Sequence, residues 1–358
     1  MMGIPKLMKG VYLTGHGGLD KLVYSETIPV QEPCDYEVLI QVEAAGINNT
    51  DVNTRLGWYS KNVKTGTNSE DSEQKNDCID GSWSGRPVDF PRIQGADCCG
   101  RIVAVGREIS RERIGERVLV RNMLRSYLDY KPWQCWTFGS ECDGAFAEYT
   151  KAPSRETYRV NSSWSSIELA SIPCAYSTAE GMLERARVKS GDVVLITGAS
   201  GGVGSAAVQL TRRRGARVIG IANPSKQRNV LGLGADEVLD NVKSLEKETV
   251  DVVLDLVAGP IFEDCLQVLK RGGRYAVSGA IAGPTVELDV RTLYLKDLSF
   301  FGCSFQEDVV FENLISYIEK NELRPNIGEV YPMKDIALAQ AAFISKKIPG
   351  KIVLNVST

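Results

Sequence analysis

Residues 192–204, DVVLITGASGGVG, carry the pattern that most narrows what this chain can fold into. Asp192 to Thr197 is an apolar run rich in β-branched residues, the composition of a strand buried on both faces of a parallel sheet. Gly198, Gly201, Gly202 and Gly204 follow at once, and then the helix-forming stretch SAAVQLTRRRG. A strand that passes through clustered glycines into a helix offers bare main-chain N–H groups, at the positive end of the helix dipole, to an anion. The turn is therefore read as a phosphate cradle, with Ser200, Gly201, Gly202 and Val203 at its rim.

The helix stops at Arg214-Gly215, and Arg217 to Ile221 reads as a second apolar strand, so the unit is βαβ. In a dinucleotide fold, an acid closing that second strand binds the 2′-OH of NAD, while neutral and basic residues accept the 2′-phosphate of NADP. The closing stretch here is Ala222-Asn223-Pro224-Ser225-Lys226-Gln227-Arg228, with no acid before Asp236. Asn223, Ser225, Lys226 and Arg228 are thus predicted to select NADP(H).

Two sequence patterns divide the 358 residues. The first 150 or so read as short strands separated by Gly, Pro and Asp, with β-rich stretches at Gly10 to Leu13, Tyr36 to Ala45, Arg101 to Val105 and Arg117 to Val120. From about Ser165, strands near 193–197, 217–221, 237–239, 251–255 and 273–278 alternate with helices, which is the doubly wound signature. After Phe301 come a strand, helices over Asp308 to Glu319 and Lys334 to Lys346, and a last strand from Lys351 to Val356. The expected fold is α/β: a β-barrel-like domain over 1–160 and 303–358, and a doubly wound parallel-sheet domain over 161–302. One stretch, Ser60 to Asp89, is polar and nearly free of aliphatic residues; it is read as a long mobile loop, either a lid or disordered.

Composition excludes several classes of function. A formal charge of -3 and 8% aromatic residues leave no basic face for nucleic acid. No apolar run approaches the ~18 residues that span a bilayer, and MMGIPKLMKG lacks a signal-peptide core, so a cytoplasmic protein with a small-molecule substrate is expected. The nine cysteines are scattered and are read as reduced thiols.

With these features in place, the chain resembles the medium-chain dehydrogenase/reductase superfamily, and within it the zinc-independent quinone oxidoreductase and enoyl reductase branch. The resemblance rests on Gly46-Ile47-Asn48-Asn49-Thr50-Asp51, Arg55-Leu56-Gly57-Trp58-Tyr59, Gln94-Gly95-Ala96-Asp97-Cys98-Cys99-Gly100, Gly106, Ile114-Gly115-Glu116-Arg117-Val118, Gly144-Ala145-Phe146-Ala147-Glu148-Tyr149, the glycine turn, and Gly350-Lys351-Ile352-Val353-Leu354. It implies a GroES-like catalytic domain beside a Rossmann cofactor domain. It also implies a homodimer paired through Leu298 to Phe305. The 60–89 loop has no counterpart in the shorter relatives.

Zinc alcohol dehydrogenases of this superfamily hold a catalytic metal through a Cys, a His and a later Cys or Asp. At the corresponding positions this chain has Asn48, Ala96 and Cys174, and its only histidine, His16, lies in a glycine-rich turn and is read as a surface residue. The four-Cys lobe is absent as well. No metal is expected, and losing the Lewis acid favours acceptors whose charge delocalises as hydride arrives. The resemblance therefore implies NADPH-dependent reduction of a quinone or an activated C=C bond. The alternatives are an NADP-dependent alcohol or carbonyl dehydrogenase and a non-catalytic NADPH-binding protein.

The resemblance also carries over site residues. Asn48 is expected beside the nicotinamide, with Asp51 holding its loop. Asn53 stands where several quinone oxidoreductases have a tyrosine, and Tyr59 is the phenol that would partly replace it. Thr178, the backbone of Gly279, Ala280 and Ile281, and Lys351 are expected along the cofactor.

Overall fold

A computed structural model describes residues 3–67 and 79–357. The centre of the 60–89 stretch thus lies outside the described residues. Those that are described form two units, one of 3–63, 79–174 and 315–357 and another of 64–67 and 175–314.

The first unit is built on a 7-stranded sheet. Thr157–Arg159, Arg117–Val120, Cys99–Val105, Glu37–Gly46, Lys351–Asn355 and Ile327–Pro332 lie in that order, and Tyr149–Pro153 also pairs with Glu37–Gly46. All neighbours are antiparallel except the last two. A 3-stranded sheet of Leu22–Pro29, Leu7–Leu13 and Arg92–Ile93 joins it through one core of Val38, Ile40, Ile102, Val118, Phe146 and Leu354. This is the GroES-like architecture. The chain's last strand pairs with Glu37–Gly46, placing Lys351 beside the loop that carries Asn48.

The second unit is a 6-stranded parallel sheet in the order Glu237–Leu239, Arg217–Ile221, Val193–Ile196, Val250–Asp255, Leu269–Val277, Ser299–Gly302. Its two central strands are mostly apolar and largely buried, as helices on both faces require. The order reverses between Val193–Ile196 and Val250–Asp255, which is where doubly wound sheets bind ligands.

The strands read from the sequence are present, although Leu7–Leu13 and Leu269–Val277 begin three and four residues earlier than expected. The helix after the glycine turn begins earlier than predicted, at Gly202, because Gly201 already serves as its N-cap. His16 is not a surface residue: it is half-buried, its Nδ1 lies 2.9 Å from the Thr54 carbonyl, and its ring meets Phe90 edge-on. The described ends of the 60–89 stretch are anchored, with Ser60, Thr67 and Ser82 buried and the Trp83 N–H donating to Ser140 Oγ at 3.2 Å. Among the described residues the eight cysteines are free thiols, and no helix is long and apolar enough to cross a membrane.

Candidate active site and cofactor cradle

In the second unit, Gly198 lies in the turn just past the strand Val193–Ile196 with φ +58, in the left-handed region where a side chain is strained. A Cβ on Gly204 would stand 2.2 Å from the Gly198 carbonyl oxygen, so only glycine lets the helix pack onto the turn. Ser200, Gly201, Gly202 and Val203 lie partly or fully exposed around this helix start, and no side chain caps it. The Gly201 N–H is taken by the Gly198 carbonyl at 3.0 Å, while Gly202 and Val203 open the helix, where first-turn N–H groups have no intrahelical acceptor and suit an anion.

One buried carboxylate ties the carboxyl ends of three strands together. Asp255 Oδ1 accepts from Thr197 Oγ1 at 2.6 Å, Val257 N–H at 2.9 Å and Ala258 N–H at 3.1 Å. Oδ2 accepts the Tyr275 hydroxyl at 2.5 Å. The Thr197 hydroxyl in turn accepts from the Leu256 N–H at 2.8 Å. Sequence reading missed Asp255, because nothing local distinguishes it from any acid ending a strand.

After Arg217–Ile221, Asn223 Oδ1 accepts from both the backbone N–H and the hydroxyl of Ser225, at 3.1 and 2.9 Å. This fixes the turn and carries Lys226 and Arg228 behind it; Arg228 is exposed, and partial burial lowers the Lys226 ammonium pKa. Gly279, Ala280 and Ile281 follow Leu269–Val277 and are half-buried; a Cβ on Gly279 would meet the Leu256 carbonyl oxygen at 2.7 Å. Thr178 is part-exposed on the helix Pro173–Arg185.

In the first unit, Asn48 precedes the helix Asn49–Leu56 and sits in a buried polar knot. Its amide nitrogen donates to Asp97 Oδ2 at 2.8 Å and to the Gly46 carbonyl at 3.3 Å, and its amide oxygen accepts from Lys351 Nζ at 2.5 Å. Lys351 also reaches Asp97 Oδ2 at 2.7 Å and the Ile47 carbonyl at 3.0 Å. The free oxygen of Asp97 accepts from the Cys174 N–H at 2.6 Å. Lys351 is thus an internal cation, all three of its N–H bonds directed at named oxygens. The role of Asp97 was invisible in the sequence, although the residue sits within a recognised motif.

Asp51 braces the same loop. Its carboxylate accepts from the backbone N–H groups of Asn48, Gly95 and Ala96 at 2.8, 3.2 and 3.1 Å. Burial pushes its pKa up to about 7; the Asn48 N–H opposes that shift, the nearby Asp97 adds to it and Lys351 opposes it. Burial raises the Cys174 thiol pKa too, so it is protonated at neutral pH. Among the described residues no group of three or more His, Cys, Asp and Glu side chains is placed to hold a metal ion.

Asn53 and Tyr59 come together, and Tyr59 also feels Cys174 and Asp51 beside the knot. The Tyr59 hydroxyl donates to Thr50 Oγ1 at 3.1 Å and has Asn53 as its second polar neighbour, while burial raises its pKa and keeps the phenol neutral. Asn53 is buried, and its side-chain oxygen has no hydrogen-bond partner among the described residues.

Residues 34–162 match the family model described as alcohol dehydrogenase GroES-like domain, and residues 202–320 match the one described as zinc-binding dehydrogenase. A crystal structure from Sinorhizobium meliloti 1021, of a candidate alcohol dehydrogenase, superposes with a TM-score of 0.87 and 43% identity over 99% of this chain and 98% of that one. Human quinone oxidoreductase is 29% identical over 98% of each chain. Acryloyl-coenzyme A reductase from Metallosphaera sedula is 26% identical over 97% of this chain and all of that one. Matches of this extent, on a GroES-like unit and a doubly wound unit with a glycine cradle, settle the ancestry: the chain belongs to the medium-chain dehydrogenase/reductase superfamily, in its quinone oxidoreductase-like branch, and is an oxidoreductase.

Proposed function

We propose that this protein is an NADPH-dependent, zinc-independent reductase of quinones or of activated C=C bonds such as enones and enals. The observation that carries the reading is the Asn48–Asp97–Lys351 knot. A zinc ion needs deprotonated or neutral ligands with free lone pairs converging on one point. Here the Asn48 amide is committed to internal hydrogen bonds, Ala96 has no donor atom, and an ammonium lies against the nearest carboxylate. The residues present do not fit the metal.

They do fit a dinucleotide. The backbone of Ser200 to Val203 would hold the pyrophosphate, Asn223, Ser225, Lys226 and Arg228 the 2′-phosphate, and Thr178 with the 279–281 backbone the nicotinamide end. Lys351 would lend its positive charge close to Asn48. When bound, the nicotinamide supplies a hydride. The chain's part is to orient the acceptor and to exclude water. The knot holds Asn48 rigid, and Asn53 with the neutral Tyr59 phenol offers polar contacts to an acceptor oxygen. Such contacts are weaker than a Lewis acid and suit acceptors that spread the incoming charge by conjugation. Quinone oxidoreductases and acryloyl-coenzyme A reductase among the relatives act on that kind of substrate by name.

We also propose a homodimer. The strand Ser299–Gly302 is the outer edge of the second sheet, and Val290, Tyr294, Leu295 and Phe300 expose apolar side chains at or near it. A second copy pairing edge to edge would cover both. Titration of the purified protein with NADPH and NADH, followed by cofactor oxidation assays with quinones, 2-alkenals, enones and simple ketones, tests the reading. Preference for NADH, or turnover of ketones alone, overturns it.

A further inference from the structure

Thr67 is a buried residue whose hydroxyl has no hydrogen-bond partner among the described residues. Its backbone N–H donates to the Ile281 carbonyl at 3.2 Å. Gly66 approaches the same loop so closely that a Cβ there would stand 2.4 Å from the Ile281 carbonyl oxygen and 3.0 Å from the carbonyl carbon of Ala282. On its other side the loop is held by the Ala282 N–H, which donates to the Val257 carbonyl at 2.9 Å. A Cβ on Gly259 would meet the Ala282 carbonyl oxygen at 3.0 Å. Residues 279–282 are therefore clamped between the turn after Val250–Asp255 and a piece of the polar 60–89 stretch.

A dinucleotide lies across the carboxyl ends of a doubly wound sheet, its halves on either side of the strand that enters the phosphate turn. The adenosine side is Arg217–Ile221, and the other side is Val250–Asp255 with Leu269–Val277. The clamped loop follows Leu269–Val277 and so belongs to the nicotinamide half. We propose that Gly66 and Thr67 are positioning residues for the nicotinamide half of the cofactor. Gly66 and the Thr67 N–H fix the loop, and the Thr67 hydroxyl finds its missing partner on the bound ligand. This rests on reading the second unit as the NADPH-binding unit.

The test uses the full-length protein and three variants: Gly66→Ala, which forces the loop to move, Thr67→Val, which keeps shape and loses the hydroxyl, and Thr67→Ser, which restores it. Affinity is measured for NADPH and for adenosine 2′,5′-bisphosphate, which lacks the nicotinamide half. Gly66→Ala is expected to weaken NADPH about tenfold and Thr67→Val about threefold to tenfold, the cost of one hydrogen bond. Thr67→Ser should return to the wild-type value, and the bisphosphate should bind equally to all four proteins. If the wild type binds both ligands and the variants match it for NADPH, the positioning role is wrong while the cofactor reading stands. Equal losses for both ligands also overturn it, because they signal general damage. If the wild type binds neither ligand, the cofactor reading fails and this proposal falls with it.

Discussion

Lys351 and Asp97 meet at 2.7 Å in surroundings that leave them 3% and 0% exposed. Their strands and loops are 254 positions apart in sequence, and the last strand of the first unit is what brings them together. A buried pair of this kind adds little net stability over an apolar replacement, but losing one partner strands the other. Lys351→Met should therefore destabilise the protein by about 3 kcal/mol, at the low end because Asn48 and the Cys174 N–H still solvate Asp97. Combining it with Asp97→Asn should recover part of that loss. Denaturant unfolding of the two single variants and the double variant measures the coupling, and simple additivity would show the pair to be independent.

Asp51 sets a pH dependence. Its pKa is pushed up to about 7 from 3.8, so between those values the folded protein keeps a proton that the unfolded chain has released. This contribution makes stability fall as pH rises from about 4 to about 7. His16 acts oppositely: burial lowers its pKa from 6.5, so its contribution is lost as pH falls below that value. Asp51→Asn should flatten the difference in unfolding free energy across that range, as measured by denaturation at pH 4.5 and 7.5. An unchanged profile would place the titration elsewhere.

The glycine turn and the alternation around it were legible because the information is local. Gly198 and Gly204 announce the turn by residue type, and the strands 193–196 and 217–221 by apolar runs. Leu22–Pro29 and Ile327–Pro332 were not legible, since both are largely exposed and lack the period-two burial that marks a strand. The candidate site divides the same way. Asn48, Asn53 and Tyr59 are named by a motif around one helix, whereas Asp97, Asp255 and Thr67 act through partners that only the fold brings close.

Asp255 offers a check on how the cradle is held. All four groups bonded to its carboxylate are donors, and Asn would turn an N–H₂ toward some of them. Asp255→Asn should cost about 2 kcal/mol of stability and weaken cofactor binding, whereas Thr197→Ser, which keeps the hydroxyl, should do neither. Thermal unfolding and cofactor titration of both variants decide it.

Cofactor choice is predicted to rest on the turn after Arg217–Ile221. Asn223→Asp keeps the oxygen that holds Ser225 but adds a negative charge where the 2′-phosphate would lie. NADPH affinity should fall by about tenfold or more, and NADH affinity should hold or improve. An unaltered NADPH to NADH ratio would remove these residues from the phosphate site.

The most direct test of the account is the rate of NADPH oxidation by protein treated with a strong chelator and verified metal-free by elemental analysis, measured with a quinone, a 2-alkenal and a simple ketone side by side. The account predicts full activity with the quinone or the alkenal and none with the ketone. Activity that is lost when stoichiometric zinc is removed and returns when zinc is restored would contradict it.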